Sequence, residues 1–305
     1  MIAPRIMNIP DIEAFVAVAE AGSVNRAARR LSLTQPAVTR RLQTLEAALG
    51  SATLLDRTAK PPVLTPLGRQ VLESCRRVLK AVAELEASAS PGVPRGEFRI
   101  GVAHGLADLA LSAPLDELRQ RYPEIRLKIS ADWTIHLIEA LRSGALDCAI
   151  GLVDDHTYTP TGIVADALGT DELVVVAAKS FVPQIDRRRL MLGELARQGW
   201  VLNPPGCGYR AAVQRAFDRE GLALEITAEI FGHDLQLSLA SRGAGLTIVP
   251  RSKLEASTYR HGLKIVRSAD LALQTTITLL HGNALGSVAP LVDWLHDRMA
   301  EQFRR

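Results

Sequence analysis

Residues 31–50, LSLTQPAVTRRLQTLEAALG, carry the side chains best suited to reading another molecule. An amide (Gln35), a hydroxyl (Thr39) and two guanidiniums (Arg40, Arg41) fall in the early turns of one amphipathic helix, with almost no acid beside them. The major groove of DNA accepts one α-helix and shows it acceptors on guanine and a donor–acceptor pair on adenine. Arg40 suits guanine O6 and N7, Gln35 suits adenine N6 and N7, and Pro36 and Thr39 are short enough to touch a thymine methyl. Arg41, Arg57 and Lys60 would neutralise phosphates, with the N–H groups of the helix start as further donors. Arg26, Arg29 and Arg30, just upstream, suit either phosphate or solvent. With Ser23, Asn25 and Thr34 at the starts of the two helices, these residues form the candidate nucleic-acid surface.

A second set lies at four strand-to-helix corners. These are His104-Gly105 after RIGVA, Trp133-Thr134 after LKIS, the NPPGCGY loop (Asn203, Cys207 and Tyr209 within it) after WVL, and Gly232-His233 after EITAEIF. In open α/β sheets, ligands sit beyond the carboxyl ends of strands, where helix starts offer N–H groups and a positive dipole end. An anionic small molecule, such as a carboxylate, would suit that field.

Other chemistries find little support. Cys75, Cys148 and Cys207 form no CxxC pair and no disulfide framework, which fits a reducing cytoplasm. His136, His156, His261, His281 and His296 show no metal-ligand spacing, so neither a metal nor a cofactor is expected. No GxSxG elbow, P-loop or pair of carboxylates stands at a corner, so an enzyme is not expected.

The elements that must position these residues follow from periodicity. Ile12, Phe15, Val16 and Ala19 mark a first helix that Gly22 stops. Ser23 caps a short second helix, whose Ala27 and Ala28 permit close approach of a neighbour. Thr34 caps the third helix, with Pro36 in its first turn and Val38, Leu42, Leu45 and Leu49 as its buried stripe. ATLLDRT and PPVLT read as a small hairpin, or wing. Thr65 and Pro66 open a long helix in which Val71, Cys75, Val78, Val82 and Leu85 repeat as a heptad seam. That seam needs a partner, either a second copy of the chain or its own domain. SASPGVPRG reads as a hinge. Beyond it, strands and helices alternate, with helices expected near 106–122, 133–143, 190–197, 209–220, 234–242 and 288–303, and mostly parallel sheets are expected.

The bulk numbers agree. The chain of 305 residues is 47% apolar and 23% charged, as a globular protein is. No apolar run is long enough to span a membrane, and the start does not read as a signal peptide. The net charge of +3 is uneven: residues 1–90 hold +4 and the rest −1. A basic front on a near-neutral body suits a polyanion partner for the front alone.

FVAVAEAGSVNRAARRLSLTQPAVTRRLQTLEAALGSATLLDRT followed by VLTPLGRQVL resembles the N-terminal domain of LysR-type transcriptional regulators over about residues 9–90. RYPEIRL, LIEALRSGALDCAI and LASRGAGLTIVPRS are similar, more loosely, to that family's effector-binding domain. The resemblance implies a fold of α plus α/β type. A winged helix-turn-helix would occupy residues 1–64, a long linker helix 65–89 and a hinge 90–96. A two-subdomain, periplasmic-binding-protein-like effector domain would occupy 97–305, with subdomain I at 97–167 and 269–305 and subdomain II at 168–268. It further implies double-stranded DNA as partner, homodimers through the linker helix, tetramers of paired dimers, a small-molecule co-inducer in the interdomain cleft, and contact with RNA polymerase.

Two corners depart from the family's pattern. Gly105 stands where a Ser or Thr is usual, so the ligand differs or His104 replaces that hydrogen bond. Trp133 stands where small polar residues are usual, either to stack on a ring or to fill space. Cys207 lies near the reactive cysteine of peroxide-sensing relatives, but no second cysteine is near in sequence. A buried or ligand-lining thiol is the expectation there. A solute-binding module remains the rival reading, opposed by the basic front.

Overall fold

The computed structural model describes residues 7–59, 61–89, 94–106, 112–153, 159–181, 189–271, 273–283 and 285–303. Lys60, His156 and most of the expected hinge lie outside them. The chain divides into two compact units, residues 1–93 with 142–145 and 284–287, and the remainder.

The first unit is built around three helices, α1 (Ile9–Ala21), α2 (Val24–Arg30) and α3 (Gln35–Ala48). Gly22 ends α1 in the left-handed conformation, its N–H returning to the Val18 carbonyl. Ser23 takes the expected cap position of α2, but its side chain makes no capping hydrogen bond. Ala27 and Ala28 are buried, as close packing requires. The Thr34 hydroxyl accepts from Ala37 N–H at 3.4 Å and fixes the start of α3. Val38, Leu42 and Leu45 join Phe15, Val16 and Val18 in one core. Leu49 does not join them: it is exposed, because it caps the helix where the 3.6-residue period stops.

The wing is a two-stranded antiparallel ribbon, β1 (Leu55–Asp56) with β2 (Val63–Leu64). Next comes α4 (Pro66–Ala89), whose first turn is held by Gly68 N–H donating to the Thr65 hydroxyl at 2.9 Å. Its heptad seam divides. Leu72 and Cys75 are buried in the unit's core and Val71 and Leu79 pack against it, whereas Val78 and Leu85 are 40% and 72% exposed.

The second unit is a mixed α/β structure. Its strands are β3 (Gly96–Ala103), β4 (Ile125–Asp132), β5 (Cys148–Val153), β6 (Ile163–Ala178), β7 (Trp200–Leu202), β8 (Ile226–Glu229), β9 (Thr247–Pro250), β10 (Leu263–Val266) and β11 (Gln274–Gly282). Its helices are α5 (Ser112–Arg121), α6 (Thr134–Arg142), α7 (Leu192–Leu195), α8 (Gly208–Arg219), α9 (His233–Ser241), α10 (Arg251–Ala256) and α11 (Ala289–Phe303). The main sheet runs β10-β6-β11-β5-β3-β4, with β9 also on β6, and β7 pairs with β8.

The expectation of mostly parallel sheets is corrected here. β3 is parallel to β4 and β5, and β7 to β8, but β11 is antiparallel to β5 and β6, as β9 and β10 are to β6. Alternation along the chain reports local order. It does not record that β11, arriving from near the C-terminus, inserts between two strands made much earlier.

β6 is sixteen residues long, where only its second half was expected. Its first half, IVADALGT, sets one acid, Asp166, among small and apolar residues and gives no long apolar run. That half pairs with β11 as far as Glu172, and from Leu173 onward β6 pairs with β9 and β10. One strand therefore joins the β11 side of the sheet to β9 and β10.

Helix boundaries shift as well. Leu106 sits in a turn, its N–H bonded to the Ala103 carbonyl at 3.0 Å, and α5 runs only over Ser112–Arg121 among the described residues. The helix expected near 190–197 is a single turn. The sequence reading passed over α10 and the 3-10 turn Thr258–Gly262 that follows it.

Candidate functional site

In the first unit, Asn25, Thr34, Gln35, Pro36 and Arg40 are exposed, and Ser23, Thr39 and Arg41 are half-buried. Pro36, Arg40 and Arg41 line a shallow depression with Asp11, Ala37 and Thr44. The buried Asp11 brings one carboxylate close behind α3. Two of the expected phosphate ligands already touch protein groups. Arg57 pairs with Glu46 at 2.8 Å, and Arg41 Nη1 reaches the Pro10 carbonyl at 3.5 Å. Glu46 also accepts from Leu54 N–H at 3.1 Å, so it ties the wing to α3. Upstream, Arg30 pairs with Glu20 at 2.7 Å.

In the second unit, residues from all four corners come together and open on one cavity of about 510 Å³. Its wall includes His104, Gly105, Trp133, Asn203, Gly232 and His233 from the expected set. The fit is close. Gly105 has φ +91°, and a Cβ there would lie 2.5 Å from the His233 ring. Gly206, at φ +101°, leaves room in the same way for Trp133. The His233 imidazole, from another corner, thus occupies the space a side chain at position 105 would need.

Asn203 serves as a joint. Its side-chain oxygen accepts from Gly232 N–H at 3.1 Å, and its amide donates to Gln236 Oε1 at 3.0 Å. Gln236 is buried and donates in turn to the Val201 carbonyl and the Thr247 hydroxyl, both at 3.3 Å. At the second corner, Asp132 accepts from Trp133 N–H at 2.7 Å and pairs with His136 at 2.8 Å. Burial opposes the Asp132 charge, yet the bonds from His136 and Trp133 hold its pKa below the ordinary carboxylate value.

Three expected contacts do not line the cavity. The Thr134 hydroxyl accepts from Leu152 N–H at 3.0 Å and so anchors α6 to β5. Cys207 is buried at the start of α8. Tyr209 is buried against the His233 ring, with centroids 5.6 Å apart, and beside the carboxyl of Asp171. Burial pushes the Asp171 carboxyl up to about 6, with the Glu172 charge adding to the push and Tyr209 and Lys253 opposing it.

The sequence reading missed Phe231, Asp234, Leu235, Lys253, Ala256 and Ser257, which also line the cavity. Phe231 had a usable signal, a large apolar residue between a strand end and a glycine. Lys253 had none, since its helix was not foreseen. Phe231 is 56% exposed and packs edge-on against His104, with centroids 4.7 Å apart; Trp133 lies 4.8 Å from His104 and 5.5 Å from Phe231.

The three thiols are buried and unbridged. Burial raises Cys75 to about 11 and pushes Cys148 and Cys207 upward as well, which disfavours the reactive thiolate. Among the described residues no cluster of metal-ligating side chains occurs, and no helix is long and apolar enough to cross a membrane.

The family described as "Bacterial regulatory helix-turn-helix protein, lysR family" matches residues 9–69, and "LysR substrate binding domain" matches residues 91–304. The HTH-type transcriptional regulator TfdS of Cupriavidus pinatubonensis is 30% identical over 280 residues, which cover 90% of this chain and 92% of that protein. A full-length OxyR variant from Pseudomonas aeruginosa has the same fold, with a TM-score of 0.80 at 18% identity over 96% of this chain and 95% of that one. Full-length CbnR in complex with its target DNA gives a TM-score of 0.59 at 24% identity, covering 98% of this chain and 99% of its own.

Proposed function

The chain belongs to the LysR family of DNA-binding transcriptional regulators, which are not enzymes, and from that premise we propose how its parts divide the task. α3 reads base edges through Gln35, Pro36, Thr39 and Arg40. Ser23, Asn25, Thr34, Arg41, Arg57 and Lys60 set the register on phosphates. The exposure of Gln35 and Arg40 on the first turns of a capped helix supports this reading. Retention of a duplex from the region upstream of the gene, with and without Arg40→Ala, tests it. Unchanged affinity and footprint in the variant would rule out α3 as the reader.

The exposed Val78 and Leu85 on α4 support pairing of two copies through that helix, which would place two reading helices on half-sites about one turn of DNA, or a multiple, apart. Pairs of dimers, contact with RNA polymerase and a cytoplasmic setting belong to the same reading. So do a hinge at 90–96 and two lobes of the effector domain, 97–167 with 269–305 and 168–268.

The effector is a small anion held in the cavity of the second unit. The convergence of corner residues around one space carries this reading. Two helix starts, those of α6 and α9, border that space, and Lys253 stands in the wall, with Asp234 as the opposing charge. Thermal shift of the intact protein with a panel of carboxylates, against Lys253→Met, tests it. A panel that stabilises neither protein, or both equally, would argue against an anion.

A further inference from the structure

Beside Leu235 and Ala256, the cavity wall carries three rings, and they come from different corners. His104 follows β3, Trp133 follows β4, and Phe231 follows β8. Each pair is edge-on or tilted, with centroids between 4.7 and 5.5 Å apart. Gly206 clears the space that Trp133 occupies. Phe231 remains 56% exposed although it packs on the two other rings.

We propose that the cavity selects a planar, ring-bearing anion, with the His104–Trp133–Phe231 wall taking the ring and the Lys253 side taking the charge. This rests on the cavity being the effector site. A saturated ligand gains only dispersion from such a wall. A planar ring also gains edge-to-face and offset contacts with neighbours already arranged for them. Phe231 is the discriminating residue, because it is the most exposed of the three rings and a bound ring would cover it. It belongs to the loop that opens α9, so covering it also ties the ligand to the lobe opposite His104 and Trp133. The cavity volume of about 510 Å³ falls in the range that holds small organic ligands.

Calorimetric titration of the full-length protein with benzoate, cyclohexanecarboxylate and benzyl alcohol separates ring from charge. The expected result is benzoate binding about fivefold to tenfold tighter than cyclohexanecarboxylate. That preference should fall below twofold in Phe231→Leu, which keeps apolar bulk on an exposed loop. Equal binding of the two acids, no binding of either ring compound, or a preference that survives Phe231→Leu together with Trp133→Leu would overturn the inference. If both acids bind equally and both weaken in Lys253→Met, the ring selection fails while the anion reading stands. If benzyl alcohol binds as tightly as benzoate, the ring wall stands and the anion reading fails.

Discussion

Arg40, in the second turn of α3, and Trp133, at the start of α6, are both candidates for touching a ligand, yet the molecule holds them in opposite ways. Arg40 projects from a helix whose cap, stripe and terminus all lie within twenty residues of sequence. Trp133 is held by residues from elsewhere: His104 from another strand end, Phe231 from a third, and the bare backbone of Gly206 beneath it. A reading surface for a long polyanion needs exposed charge on a stiff rod, and local sequence supplies that. A cavity for a small molecule needs side chains that meet in space, and only the tertiary fold supplies it.

The contrast can be broken at several points. Gly105→Ser should have the largest effect, because the new side chain would meet His233 and must adopt φ +91°. A loss of about 3 kcal/mol in the stability of the second unit is expected, from backbone strain and overpacking together. Calorimetric unfolding checks it, and a variant as stable as the parent would show that the corners are not tightly packed. Arg40→Ala should leave stability unchanged and cost about 1–3 kcal/mol of specific binding at one base position. Competition against single-base operator variants would localise that loss. Val78→Glu with Leu85→Glu should weaken self-association at least about tenfold in sedimentation, by placing charge on the exposed seam.

A pH series sharpens the same comparison. Asp171 is raised from 3.8 to about 6, so its neutral form is the one the fold prefers. Its favourable contribution is present below pH 4 and is lost as pH rises through about 6. Asp171→Asn should therefore gain stability over the parent as pH climbs from 4 to 7, while the first unit melts alike in both. A difference that does not grow over that window would mean the carboxyl is not buried as described. The smallest effect is expected for Thr34→Ala, about 0.5 kcal/mol, since its capping bond is long.

How much of this was readable in advance follows the same division. The caps at Thr34 and Thr65, the Gly22 stop, and the core positions Val38, Leu42 and Leu45 are set by neighbours a few residues away, and spacing revealed them. Leu49 was misplaced because a periodic stripe says nothing of where the helix stops being packed. Arg57 could be read as a cation but not as the partner of Glu46, eleven residues earlier in the chain. In the cavity, the four corners were legible because strand ends followed by helix starts are a local pattern. Lys253 and the His233–Gly105 approach were not, since both depend on how distant segments pack. Strand direction failed for the same reason, at β11.

β6 carries a mechanical implication. A strand bonded to β11 on one side of Glu172 and to β9 and β10 on the other has no slack at the crossing. If the two lobes proposed above open, the motion must be taken up by twisting a bonded ribbon, which behaves as a stiff spring. Small rotations with a strong restoring torque are what such a coupling transmits, so a ligand wedged against the rings would be felt as stress along the whole strand.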